Sequence, residues 1–151
     1  MSFSIENSTN QPNAFFDILP QDWQESIVPF WPSYHDSAQI MVLKKDTFVV
    51  GGGIVFSTVS PDTKIYESLA KSWFDLGYLY LGFLWIDEKY RNQKLGTLWL
   101  QEIINQNPLQ KYWLTVEDEN LIQFYSKNQF RLIQKIELPD LEEWLLVKDL
   151  C

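Results

Sequence analysis

The 151 residues, 46% hydrophobic and 16% aromatic, read as one folded domain over 1–151 and exclude a disordered chain. A net charge of −8 argues against nucleic-acid binding, which needs a basic face, and no apolar run approaches the roughly 20 residues that cross a bilayer. The only cysteine is Cys151, so no disulfide can form within the chain; with no secretion signal in view, the expected setting is reducing and cytoplasmic.

Residues 1–13 are rich in Ser, Asn and Gln and read as a loose arm, with Phe3-Ser4-Ile5 as a possible edge strand. Pro20 to Val28 reads as a short helix stopped by Pro29, which cannot continue the backbone bonding. Gln39–Leu43 and Phe48–Val59 read as an antiparallel hairpin with a tight turn at Lys44–Thr47. Gly51-Gly52-Gly53 interrupts the second strand. No helix and no Lys-Ser/Thr pair follows it, so it marks a bulge or close packing and not a phosphate loop.

Ser60 to Gly77 predicts a helix, with Ile65, Leu69 and Trp73 on one apolar stripe, Ser60 as N-cap and Gly77 as the stop. Such a segment either covers a sheet face, the favoured reading, or closes over a site. Tyr78 to Ile86 is apolar on both faces and so should be a central strand, with Gly82 marking a bulge. After a polar loop, Leu95, Leu98, Trp99 and Ile103 repeat at helical spacing until Pro108. Lys111–Val116 is the next strand. Asp118 starts a helix carrying Leu121, Phe124 and Tyr125. Phe130–Leu138 and Glu142–Lys148 close a last hairpin at Pro139-Asp140, with Gln134, Lys135, Glu142 and Glu143 as its outer polar residues.

The chemistry concentrates where the apolar strand ends. A buried strand feeding a helix start creates an anion site, because the first N–H groups of a helix have no internal partner. Here those are the amides of Asn92, Gln93, Lys94, Leu95, Gly96 and Thr97, flanked by the charges of Arg91 and Lys94. An acidic chain must hold an anionic ligand locally, through such amides, while its acidic surface either suits a cationic partner such as an amine or merely aids solubility.

The run Arg91-Asn-Gln-Lys94-Leu-Gly96 resembles the acetyl-CoA loop of the GNAT (Gcn5-related) N-acetyltransferases, written Arg/Gln, two residues, Gly, one residue, Gly/Ala. Lys94 stands where the pattern has its first Gly, and a lysine resists the positive φ that glycine permits. Downstream, Asp118 to Phe130 resembles a second signature of that family through Tyr125, Lys127 and Phe130, with Gln129 at the place of a Gly. The two motifs occur in order with a strand between them, and the resemblance covers about residues 39–150.

The resemblance implies an α+β, three-layer fold: a mixed, mostly antiparallel sheet of six to seven strands flanked by helices. It also implies that the strand at 78–86 splays from its neighbour, that an N–H near Leu84, Trp85 or Ile86 polarises the thioester carbonyl, and that Arg91 and the 92–97 amides hold the pyrophosphate. Tyr125 would protonate the departing thiolate. A phenol is protonated at neutral pH and can serve as a general acid, although by spacing alone it reads as a packed core tyrosine. Acetyl-CoA is the implied co-substrate and a small-molecule or protein amine the acceptor, with no metal. Many relatives carry a Glu in the fourth strand, and 78–86 has no carboxylate; Asp75, Glu67 and His35 are bases by chemistry only. A second reading keeps the fold but makes the chain a module acting through CoA or partner contacts. The exposed edge of the last hairpin could pair two copies as a homodimer.

Overall fold

The computed structural model describes residues 2–149; Cys151 lies outside them. In chain order the elements are β1 (Phe3–Asn7), α1 (Asn13–Phe16), α2 (Gln21–Ile27), α3 (Trp31–Tyr34), β2 (Ala38–Lys45), β3 (Phe48–Phe56), a 3-10 turn (Pro61–Tyr66) and α4 (Glu67–Asp75). Then follow β4 (Tyr78–Ile86), α5 (Leu95–Gln106), β5 (Lys111–Val116), α6 (Leu121–Lys127), β6 (Arg131–Leu138) and β7 (Leu141–Lys148). No helix among the described residues is long and apolar enough to cross a membrane.

The strands form one seven-stranded sheet in the order β1-β2-β3-β4-β5-β7-β6. Every neighbouring pair is antiparallel except β4 and β5. This is the mixed, mostly antiparallel sheet expected. Gly52 and Gly53 show why helices lie on both faces. A Cβ on Gly52 would meet Phe15 of α1 at 3.1 Å, and one on Gly53 would meet the Trp99 ring of α5 at 2.7 Å. Successive strand residues point to opposite faces, so α1 and α5 sandwich the sheet. Only a glycine at 53 lets Trp99 lie flat on the strand. Trp99 is fully buried, and its indole N–H donates to the Met41 carbonyl at 2.9 Å.

Four expectations change. Phe3–Asn7 is a paired edge strand on β2, longer than Phe3–Ile5. The bulge in β4 falls one residue after Gly82: Phe83 sits at φ 57°, and the β3 register skips between Gly52 and Ile54 opposite it. The inserted residue lets Tyr80 and Phe83 turn to one face, where Phe56 touches both rings at 5.9 and 6.2 Å. Residues 61–66 wind as a 3-10 turn, with three residues per turn, so the stripe drawn through Ile65 is out of phase. Ile65 is 66% exposed, and Thr63, Tyr66 and Ala70 are buried instead. Glu143, expected outside, is buried at 6% exposure because Tyr66 supplies a hydrogen-bond partner.

Candidate active site

The β4–β5 junction is short. Parallel pairing covers only Tyr78↔Lys111, Leu79↔Tyr112 and Tyr80↔Trp113. Beyond it β4 stays on β3 as far as Ile86, and β5 stays on β7 as far as Val116. The two strands therefore diverge, leaving the β5-facing edge of β4 unpaired from Leu81 onward. Leu84, Trp85 and Ile86 lie half-buried on that edge, just past the bulge.

The loop after β4 is braced by its own residues. Asp87 N–H donates to Val50 O at 2.8 Å, and the Asp87 carboxylate accepts the Lys89 amide at 3.2 Å. Arg91 folds back, its Nε donating to the Ile86 carbonyl at 3.0 Å and its guanidinium stacking 4.5 Å from the Trp85 ring centre. Trp23 of α2 packs edge-to-face with Trp85, ring centres 5.4 Å apart. Two residues then turn left-handed, Asn92 at φ 65° and Lys94 at φ 61°, ψ 28°. The first loop-to-helix bond is Leu98 N–H to Lys94 O. Among the described residues, no protein acceptor takes the amide N–H of Asn92, Gln93, Lys94, Leu95, Gly96 or Thr97. These donors lie at the positive end of a twelve-residue helix.

Helix α6 is tied to that helix start. A Cβ on Gly96 would touch the Phe124 ring at 3.0 Å, so the two helices meet there without a side chain between them. Asn128, 3% exposed, bonds Phe124 O at 2.9 Å, Thr97 Oγ1 at 3.5 Å and Gln101 Nε2 at 3.2 Å. Asn128 was not singled out from the sequence, since a polar residue at a helix end normally reads as solvated. Tyr125 is 8% exposed and packs edge-on against Phe124 and Phe130 at 4.9 and 5.7 Å. Burial pushes its phenol pKa up, with no hydrogen-bonded partner opposing the shift. The group therefore stays protonated across the physiological range.

The three bases drawn from chemistry alone do not meet here. His35 pairs with exposed Asp36 at 3.0 Å, Glu67 with Lys71 at 3.7 Å, and Asp75 is exposed at the end of α4. Two other carboxylates lie at the head of the split. Tyr80 OH donates to Asp62 Oδ2 at 2.6 Å, and Tyr66 OH donates to Glu143 Oε1 at 2.7 Å. Thr115 Oγ1 of β5 lies 3.1 Å from Tyr66 OH and 3.4 Å from Tyr80 OH, joining the two pairs. Desolvation raises the pKa of both acids, and their phenol donors only partly offset it. Between α2–α3 and the 3-10 turn opens a groove of about 300 Å³ lined by Glu25, Ser26, Phe30, Tyr34, Pro61 and Lys64.

Comparison with solved structures gives the same fold at low sequence identity. The ribosomal-protein-S18-alanine N-acetyltransferase of Escherichia coli superimposes with a TM-score of 0.72 at 16% identity, covering 99% of this chain and 94% of that one. A GNAT family acetyltransferase from Elizabethkingia anophelis with acetyl-CoA bound gives 0.65 at 14% identity, covering 98% of each chain. A Bacillus subtilis acetyltransferase in complex with CoA gives 0.68 at 10% identity, covering 99% of this chain and all of the other. No curated protein matches the sequence. The model of the acetyltransferase (GNAT) family matches residues 9–130, most of the length, and the chain belongs to that family.

Proposed function

We propose that this protein transfers the acetyl group of acetyl-CoA directly to the amine of a small molecule or protein. The observation that carries the reading is the set of six amides at 92–97 that meet no acceptor among the described residues, in the loop that follows a strand edge β5 leaves open. A pyrophosphate has the charge and the acceptor oxygens to use such donors, and the α5 dipole adds to the attraction. Arg91, steadied on Trp85, adds a contact to the diphosphate through its remaining guanidinium N–H groups. The pantetheine arm then lies along the free edge of β4. A peptide N–H near Leu84 to Ile86 faces the thioester oxygen and stabilises the charge that develops there. Tyr125 gives its proton to the leaving thiolate; a phenol held above its ordinary pKa is reliably protonated for that task. The bound acetyl-CoA and CoA of the Elizabethkingia and Bacillus proteins support the choice of co-substrate. The single cysteine at residue 151 suits a reducing, cytoplasmic setting.

Titration calorimetry with acetyl-CoA, followed by thiol release against a panel of aliphatic, aromatic and peptide primary amines, tests this reading. Micromolar binding with amine-dependent release of CoA is the expected result. Binding without release with any amine would leave a CoA-binding module, and absence of binding would remove the cofactor assignment.

A further inference from the structure

We propose that Asp62, carried on the 3-10 turn between β3 and α4, is the general base that takes the proton from the acceptor amine. The inference rests on the transferase reading above. Strand β4 has no carboxylate between Tyr78 and Ile86, so any acid at the split must come from another element. Tyr80 is the last β4 residue paired with β5, and its hydroxyl holds Asp62 Oδ2 at 2.6 Å. Ser60 holds Oδ1 at 2.5 Å and is itself fixed by Thr63 at 2.9 Å. Ser60 and Thr63 are fully buried and Tyr80 is 2% exposed, so the cradle cannot swing. The carboxylate is thus anchored where the two strands begin to part.

Asp62 is also reachable. The residue keeps an exposed surface, although its carboxylate is so densely surrounded that desolvation dominates its ionisation. Each oxygen accepts one side-chain bond, leaving lone pairs free for a proton. No ion pair among the described residues involves Asp62. The groups around it are Tyr34 of α3, Lys64 and Tyr66 of its own turn, Glu67 of α4, Tyr80 of β4, Thr115 of β5 and Glu143 of β7, with Glu117 beyond. Lys64 is the only cation in that set, and it is exposed. Its place in the first turn after the Ser60 cap accounts for an acid here, and no ion pair among the described residues uses the carboxylate up. A base for an ammonium ion needs an anchored acid with a raised pKa in negative surroundings.

The step balances. Asp62 takes one proton from the ammonium group and passes it to solvent. The neutral nitrogen attacks the thioester carbon, so the C–N bond forms and the C–S bond breaks. Asp62 takes the second nitrogen proton and passes it to solvent as well, and Tyr125 supplies one to sulfur and is refilled from solvent. One proton is released per turnover.

The test compares wild type, Asp62→Asn and Tyr80→Phe, using the panel amine with the highest wild-type rate. It reads kcat/KM against pH together with acetyl-CoA affinity. For Asp62→Asn we expect at least a ~100-fold loss near pH 7, within the range typical of general bases. The loss should shrink towards pH 10, where the ammonium group loses its proton to solvent unaided, with cofactor affinity unchanged. Tyr80→Phe removes a bond that favours the carboxylate, so it moves the acidic limb of the profile to higher pH. Wild-type activity in Asp62→Asn, or a loss equal at every pH, overturns the inference while leaving the transferase reading intact. An unmoved acidic limb in Tyr80→Phe overturns it as well, whether or not the Asn variant folds. Wild-type protein that binds no acetyl-CoA or acetylates no amine defeats the transferase reading, and this inference with it.

Discussion

Lys94 and Gln129 hold the same left-handed backbone, φ 61° and φ 76°, at the two places where the family signatures carry glycine. Both positions hold the left-handed turn without a glycine. One of these turns starts α5 and the other ends α6, the helices joined by Gly96, Phe124 and Asn128. Each non-glycine residue in that conformation costs about 1–2 kcal/mol.

Gln129 is exposed, and its side chain makes no hydrogen bond among the described residues. Gln129→Gly removes the strain, offset by the greater freedom of glycine in the unfolded chain, worth about 0.4–1 kcal/mol. A net gain of about 0.5–1 kcal/mol should raise the melting temperature by roughly 2 °C, read by calorimetry. A lower melting temperature would show that the side chain has a role the contacts do not reveal.

Lys94→Gly separates backbone from charge in the loop. The amides should do most of the holding, since an exposed charge contributes up to about 1 kcal/mol. Acetyl-CoA affinity is therefore expected to fall less than about fivefold, while thermal stability rises. A loss of a hundredfold or more in calorimetry would transfer the main role to the ammonium group.

Much of this arrangement was legible in the sequence. The apolar run of β4, the polar loop and the restart at Leu95 are local signals, and burial on both faces needs only the composition of the run. Asp62 and Glu143 were not legible because nothing local marks them. Each is held by a tyrosine distant in the chain, Tyr80 and Tyr66, and without those phenols a carboxylate reads as solvated. The phase of the 61–66 turn was missed for a related reason. A 3-10 winding and an α winding turn Ile65 to directions about 80° apart, and the buried side is taken by Thr63, bonded to Ser60, and Tyr66, bonded to Glu143 and Thr115 of the sheet.

Those two acids also set a pH dependence of stability. Burial raises both pKa values, so folding favours the protonated forms. That contribution is complete below the ordinary carboxylate range and is lost as pH rises through the raised values. The melting temperature should fall as pH rises above the ordinary carboxylate range, and Glu143→Gln should flatten the fall. Asp149 shifts the opposite way, through Tyr78 and Arg131, but its contribution is already complete above pH 5. A wild-type curve flat across that window would contradict the burial of these charges.

Gly53→Ala tests the sandwich itself. The new methyl meets the Trp99 ring at 2.7 Å, and Trp99 is pinned by its bond to Met41 O. Overpacking of this kind costs about 1–3 kcal/mol. The melting temperature should drop by several degrees, and an unchanged value would mean that Trp99 is free to shift.

For Tyr125, substitution by Phe leaves the ring packing on Phe124 and Phe130 and removes only the proton donor. Turnover is expected to fall about 100-fold with acetyl-CoA affinity nearly unchanged. Equal turnover in stopped-flow thiol release would reduce Tyr125 to a packing residue.

The most direct measurement is an amide ¹H–¹⁵N titration with CoA. Resonances of Asn92 to Thr97 should move strongly downfield as their N–H groups meet the diphosphate, while those of β1 at the far edge of the sheet stay put. Saturating CoA that leaves the 92–97 amides unmoved would contradict the site.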